Sequence, residues 1–221
     1  MPTSDTNNTA PGHGPALPIA IGDVHGRLDL LDDLLTQVPG RPLIFLGDLT
    51  DRGPDSPGVM RRVRALVEEG RAQVCLGNHD LMLYEHVLYG RRRGRGGWTG
   101  QGGTPEQWET PQALLDDARW IQANHQHSVT LGEVLFAHAM RPDPNRADVH
   151  LWGRPDTDAM APLPPGVRVS VHGHTPMKSA QRGTYRDGSV AWFIDTGAVY
   201  TGCLSALDCS GWQVITASRP S

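Results

Sequence analysis

The run Val74-Cys75-Leu76-Gly77-Asn78-His79-Asp80 passes from apolar to polar at a glycine. An apolar run followed by a glycine turn describes a buried strand that stops at the carboxyl edge of a sheet, where α/β proteins present ligand-binding side chains. Upstream, the chain ends two further apolar runs in the same way. Ile19-Ala20-Ile21 leads into Gly22-Asp23-Val24-His25-Gly26, and Leu43-Ile44-Phe45-Leu46 leads into Gly47-Asp48-Leu49-Thr50-Asp51-Arg52-Gly53. These strand ends deliver Asp, His, Asp, Asp, Arg, Asn and His to one rim.

Between the strands the apolar spacing turns helical. Leu28, Leu31, Leu34 and Leu35 mark a helix that Pro39-Gly40 ends, and Val59, Val63, Leu66 and Val67 give a second helix its buried face, with Ser56 as N-cap and Pro57 as first helical residue. A third apolar helix is expected from about Leu81 to Leu88. The beginning is thus β-α-β-α-β-α, and a sheet with helical cover follows. Gly90 to Pro111, rich in Gly and Arg, reads as a loop with short helical pieces, before a helix from Pro111 to about Asn124. Beyond it stand short β-type runs at Ser128-Thr130, Val134-Ala137, Val167-Val171, Val190-Ile194, Leu204-Leu207 and Trp212-Ile215. They predict a second sheet packed on the first, with helices outside both.

Composition narrows the class. A chain of 221 residues holds one domain with a sizeable core, expected over 18–217. An apolar fraction of 38%, a mean hydropathy of -0.39 and no apolar run near the roughly 20 residues of a membrane span exclude a membrane protein. Residues 1–17 lack a basic start and an apolar stretch, so a disordered tail is expected there and not a secretory signal. Cys75, Cys203 and Cys209 show no paired spacing, which fits a reducing cytoplasm. The net charge of -4 argues against a surface built to grip nucleic acid.

Two later runs also end in histidine, Phe136-Ala137-His138 and Val171-His172-Gly173-His174. Asp23, His25, Asp48, Asn78, His138 and His174 then form a set of oxygen and nitrogen donors without thiolate, suited to two divalent ions such as manganese, iron or zinc, with one Asp bridging them. Two metals about 3.5 to 4 Å apart clamp a phosphoryl group and lower the pKa of a bridging water, so that hydroxide attacks in line. The leaving oxygen needs a proton, and Asp51 with His79 supplies an acid, because a carboxylate orients an imidazole and favours its protonated form.

With those residues in place the chain resembles the phosphoprotein phosphatase family of metallophosphoesterases, in its compact bacterial and phage form. Gly-Asp-x-His-Gly, Gly-Asp-x-x-Asp-Arg-Gly and Gly-Asn-His-Asp/Glu stand in order at Gly22, Gly47 and Gly77. The resemblance covers roughly residues 19–200 and implies an α/β calcineurin-like sandwich, two mixed β-sheets flanked by α-helices. It implies that Asp23, His25 and Asp48 hold one metal, and that Asp48, Asn78, His138 and His174 hold the other. It also implies that Arg52 and Arg154 contact phosphate and that Asp51 and His79 donate the proton. Manganese is the metal that the resemblance suggests.

The departures bear on the substrate. Leu76 stands where many relatives carry an arginine, Met140 follows His138-Ala139 in place of glycine and so reshapes the pocket floor, and His172 takes an apolar place. Arg91, Arg92, Arg93 and Arg95 read as a solvated, flexible loop, with an anion-binding lid over the site or a patch for a nucleotide or RNA as the alternatives. Trp98 and Trp108 either flank a substrate groove or pack the loop. His86, His125, His127 and His150 receive no role, and Cys203 and Cys209 read as small buried side chains. The expected function is hydrolysis of phosphate monoesters, first phosphoserine, phosphothreonine or phosphotyrosine on a protein, with a dinucleoside tetraphosphate as the alternative substrate. A phosphate- or RNA-binding module without turnover is the reading from another class.

Overall fold

The computed structural model of the protein describes residues 17–93 and 95–219. The expected tail, save Leu17, therefore lies outside the described residues. The first half runs β1 (Ile19–Ile21), α1 (Leu28–Gln37), β2 (Leu43–Phe45), α2 (Ser56–Glu68), β3 (Ala72–Cys75) and α3 (Asn78–Tyr89), in the order expected. The pleat divides each strand between two cores. Ile19, Ile21, Leu43, Phe45 and Val74 join the helix-side cluster with Leu30, Leu31 and Leu34 of α1 and Val59 and Val63 of α2. Ala20, Ile44 and Cys75 point the other way, into a cluster with Val134, Phe136 and Val171 of the second sheet. Both faces are covered, which is why these strands read as continuous apolar runs and not as alternating ones.

Two local boundaries differ from expectation. The cap of α2 is Asp55, whose carboxylate accepts from Gly58 N at 2.7 Å, and not Ser56. Ser56 is turned inward instead, where its Oγ accepts from Asp51 N at 3.0 Å. Helix α3 begins at Asn78, three residues before the expected start, so Asn78 and His79 project from its first turn.

The chain continues through α4 (Gly97–Gly100), a 3-10 turn at Pro105–Gln107, and α5 (Pro111–Asn124), which Thr110 caps by accepting from Ala113 N at 3.1 Å. Then follow β4 (His125–Gln126), β5 (Val129–Leu131), β6 (Val134–Phe136), α6 (Val149–Trp152), β7 (Val169–His172), β8 (Gln181–Thr184), β9 (Val190–Phe193), α7 (Ala198–Thr201), β10 (Cys203–Asp208) and β11 (Gln213–Ser218). One sheet has the order β11-β10-β1-β2-β3-β4 and the other β5-β6-β7-β9-β8. Both mix parallel and antiparallel pairs, so the fold is the expected α/β sandwich of two mixed sheets flanked by helices.

The last two strands correct the sequence reading, which placed all the late strands in the second sheet. Strand β10 pairs antiparallel with β1, Ile21 opposite Ala206, and brings β11 with it. Beside β1, Leu204 and Ala206 fill the helix-side core and Leu207 the core between the sheets, so β10 finds apolar contacts on both faces there. Cys209 is buried as expected, whereas Cys203 is half-buried. No helix among the described residues is long and apolar enough to cross a membrane.

Candidate metal centre

Parallel pairing of β1, β2 and β3 puts their carboxyl ends side by side, and β6 and β7 bring theirs to the same edge of the sandwich. Asn78 Oδ1 lies 2.9 Å from His138 Nε2 and 2.9 Å from His174 Nδ1, and those two nitrogens are 3.2 Å apart. Asp48 Oδ1 stands 3.5 Å from His138 Nε2, while its Oδ2 stands 3.6 Å from His25 Nε2. One carboxylate thus faces both groups, His25-Asp48-His79 and Asp48-His138-His174.

The tautomers test whether this set suits a cation. His138 Nδ1 donates to Leu46 O and His25 Nδ1 donates to Thr50 O, each at 2.8 Å, so both Nε2 atoms keep lone pairs turned into the site. Asn78 Oδ1 is also an acceptor, and acceptors gathered at 2.9 Å repel unless a cation lies among them. Ligands about 2.1 Å from a first-row ion and at right angles lie about 3 Å from one another, the spacing seen here. The donor set therefore fits a divalent metal.

Charge tells the same story. Asp23 is buried, and burial, then Asp195, then Asp48 hold its carboxyl well above the ordinary range. Burial alone would raise Asp48 too, but four surrounding imidazoles bring it below the usual carboxylate range. Burial lowers His25 to about 4 and His174 to about 3, keeping both neutral and able to ligate. Asp23 belongs to neither tight group. Its carboxylate accepts from His174 N at 3.0 and 3.1 Å, across a gap that only Gly173 permits, since a Cβ there would stand 2.1 Å from Asp23 Oδ1.

His79 Nδ1 meets Asp51 Oδ2 at 2.7 Å, and both Asp51 oxygens accept from Trp98 Nε1, at 2.8 and 2.9 Å. Burial pulls the His79 pKa down, but Asp48 and the Asp51 contact outweigh it and the net shift is upward. Asp51 is raised by burial against the pull of His79 and Trp98. The Arg52 guanidinium donates to His25 Nε2 at 2.7 Å, so that lone pair cannot serve an ion and Arg52 in this rotamer together. Arg52 and Arg154 both line the cleft, with Asp48, Asn78, His79 and His174.

Backbone strain gathers at the same place. His25, Asp48, Asp51, Arg52 and His174 all have positive φ, between 44° and 75°, and only two other non-glycine residues among those described do so. Left-handed backbone at such residues costs on the order of 1 to 3 kcal/mol each and persists where surrounding contacts impose it.

Sequence reasoning missed several contributors. Asp80 accepts from Asp48 N at 2.8 Å, Leu49 N at 3.1 Å and Gly77 N at 3.2 Å, tying two motif loops together. Its place as third residue of α3, a capping position, was the available signal. Asp195, at the end of β9, is raised to about 6 by burial beside the site. It too follows an apolar strand, the same signal as Asp23 and Asp48.

Neither Trp98 nor Trp108 lines the cleft at the metal centre, although Trp108 borders a separate pocket with Arg61, Arg64 and Asp117. Trp98 is 1% exposed beneath Asp51, and buried Trp108 donates to Asp117 at 2.8 Å. The aromatic residues on the cleft are Trp152 and Tyr200. Leu76 belongs to the helix-side core, and Met140 is buried against Gly153 instead of forming the pocket floor. His172 stacks on Phe193 with Nδ1 donating to Ala137 O at 3.1 Å.

Residues 19–178 match the family model for calcineurin-like phosphoesterases. A symmetrical bis(5'-nucleosyl)-tetraphosphatase from Ralstonia nicotianae is 49% identical over 79 residues, 35% of this chain and 28% of that protein, so this match spans under a third of that relative. The asymmetrical bis(5'-nucleosyl)-tetraphosphatase PrpE of Halalkalibacterium halodurans is 30% identical over 230 aligned positions, 85% of this chain and 87% of that one. Among solved structures, a candidate diadenosine tetraphosphatase superposes with a TM-score of 0.65 at 24% identity, covering 92% of this chain and 94% of that one. A Saccharomyces cerevisiae serine/threonine phosphatase superposes with a TM-score of 0.63 at 13% identity, covering 97% and 82%, a likeness of fold alone. With the family model matched over most of its length, this chain belongs to the calcineurin-like phosphoesterases, a family of metal-dependent hydrolases.

Proposed function

We propose that the protein hydrolyses dinucleoside tetraphosphates at the His25-Asp48-His174 site. One observation carries this reading above hydrolysis of phosphoproteins: the relative aligned along 85% of this chain is named a bis(5'-nucleosyl)-tetraphosphatase. The solved structures named as protein phosphatases resemble it at 13% to 15% identity, in fold only.

Each side chain has a task in that reaction. Asp48, Asn78, His138 and His174 would hold one divalent ion, and His25 with the other Asp48 oxygen a second, with Asp23 reaching it after a rotation away from His174 N. Such ions, with manganese first and iron or zinc as substitutes, would neutralise phosphoryl oxygens and lower the pKa of the attacking water. Asp51 and Trp98 fix the His79 ring so that its Nε2 edge faces the cleft, and the raised His79 pKa keeps a proton there for the leaving phosphate oxygen. Arg154 reaches the cleft as a fixed fork for phosphate oxygens, and Arg52 would turn from His25 to do the same.

The test is a turnover profile of metal-stripped protein given back one metal at a time, with diadenosine tetraphosphate, a phosphoserine peptide and an aryl phosphate. The tetraphosphate should show the highest kcat/KM. A phosphopeptide turned over faster than the nucleotide would reverse the assignment.

A further inference from the structure

The cleft carries aromatic surface that phosphate chemistry does not require. Tyr200 is 59% exposed, the highest value among the large apolar side chains described, and it lines the cleft together with half-buried Trp152. Each neighbours one of the two cleft arginines. The Arg52 guanidinium lies 5.9 Å from the Tyr200 ring centroid, and Trp152 precedes Arg154 in the stretch Trp152-Gly153-Arg154.

Exposure alone says little, since Tyr89 is 52% exposed and simply packs beside Arg91, outside the cleft. What sets Tyr200 apart is the care with which its backbone is held. The one-turn helix α7 lies between Gly197 and Gly202, at φ of 70° and 68°. Gly197 N donates to the buried Asp195 carboxylate at 2.7 Å, and Thr201 Oγ1 donates to Thr196 O at 2.8 Å and Gly197 O at 3.0 Å. A wet aromatic ring on a pinned turn, at the edge of a cation-lined phosphate cleft, has the chemistry of a base-stacking platform. Every nucleobase offers a π face, and a tyrosine with two side-chain torsions loses little entropy in meeting it.

We infer that Tyr200, with Trp152, stacks a nucleobase of a nucleoside polyphosphate whose phosphates lie between Arg52 and Arg154. This rests on the phosphoesterase reading above and adds the residues that distinguish a nucleotide from any other phosphate ester. It also places substrate selection outside the three glycine-bounded motifs.

Calorimetric titration of the manganese-loaded protein with ADP and with pyrophosphate, matched in phosphate number, sets the nucleoside apart from its phosphates, and the Tyr200 variants then read the share contributed by the ring that stacks its base. The wild type should prefer ADP by about tenfold or more, the scale of one base stacked on one aromatic ring. Tyr200→Ala should cut that preference about tenfold, Tyr200→Phe should keep it within about twofold, and Trp152→Ala should move it in the same direction as Tyr200→Ala. Equal affinity of the wild type for both ligands overturns the platform. So does a Tyr200→Ala variant that weakens both by one factor, for Tyr200 would then act only through Arg52. The activity proposal fails separately: a protein that prefers ADP yet does not cleave diadenosine tetraphosphate keeps the platform and loses the assigned reaction.

Discussion

Two sets of arginines are candidates for anion binding in the sequence and differ in the fold. Arg91, Arg92, Arg93 and Arg95 form the densest positive run in the chain, yet Arg91 and Arg93 are committed to the buried Glu85, at 3.0 Å for Arg91 Nη1 to Oε1, and Arg93 Nη1 also reaches Asp148 at 3.0 Å. Arg52 and Arg154 stand singly, and neither has a carboxylate at ion-pair distance among the described residues. They line the cleft, and Arg52 is held there in left-handed backbone. Charge density in a sequence therefore does not measure charge available to a ligand. The loop uses half its arginines to neutralise an acid that folding has buried, whereas the cleft keeps its pair for whatever enters.

If function belongs to the strained cleft and structure to the arginine loop, substitutions in the two regions should separate cleanly. The largest effect should come from Asp48, the carboxylate shared by both donor groups. Outer contacts to metal ligands are worth about 10- to 100-fold in affinity or activity, so Asp48→Asn should exceed that loss in turnover and lower the content of both ions. His25→Ala should mainly deplete one. Elemental analysis finding two ions per chain in a fully active Asp48→Asn protein would remove the shared-ligand arrangement.

Next in size is His79. Proton donation to a poor leaving group contributes about 10²- to 10⁴-fold. His79→Asn should thus slow an alkyl phosphate far more than a nitrophenyl phosphate, whose leaving group departs without help. Equal losses on the two, at unchanged metal content, would leave His79 as a positioning residue only.

What was legible follows from how local each signal is. The three glycine-bounded strand ends, the β-α-β-α-β-α order and the helix from Pro111 to Asn124 are written in adjacent residues, and the fold contains them. The return of β10 to pair with β1 depends on contacts across most of the chain, and nothing in Leu204-Leu207 says which sheet it completes. The same holds for the site. Asp23, His25, Asp48, Asn78, His138 and His174 advertise themselves at strand ends, while Trp98 under Asp51 and Tyr200 beside Arg52 become meaningful only once loops from distant parts of the chain meet.

A smaller effect, on stability, tests the structural half of the contrast. Burial raises the Glu85 pKa, but hydrogen bonds from Arg93 and Arg91 outweigh it and the folded value is depressed. A depressed carboxylate contributes stability above its unfolded pKa and loses it as pH falls through the folded one. Glu85→Gln should therefore cost about 1.5 to 3 kcal/mol at neutral pH, the range for hydrogen bonds to charged groups. The gap to wild type should begin to narrow below about pH 4, the ordinary glutamate range, and close only as pH falls through the depressed folded value. Urea unfolding at both pH values decides the matter: a gap that persists in acid would mean that Glu85 acts through packing and not through its charge.

The smallest effect should come from Arg92 and Arg95, the two loop arginines that Glu85 does not hold. Both are exposed. Exposed charges are worth only about 0 to 1 kcal/mol each, so the double variant Arg92→Ala, Arg95→Ala should keep turnover of an aryl phosphate within about threefold. Substituting all four arginines would be a poorer experiment, because it strips the buried Glu85 of its partners and confounds charge with unfolding. The diagnostic substrate is the long one. A tetraphosphate strings negative charge beyond the reach of two arginines, and the loop touches the cleft through its backbone, where Gln101 Nε2 donates to Arg95 O at 2.9 Å and Gln101 itself lines the cleft. If the contrast between the two arginine sets is correct, the double variant keeps its kcat/KM for diadenosine tetraphosphate within the same threefold. A selective loss on that substrate, with aryl phosphate turnover and stability intact, would join the loop to the cleft and make Arg92 and Arg95 the far end of one polyphosphate groove.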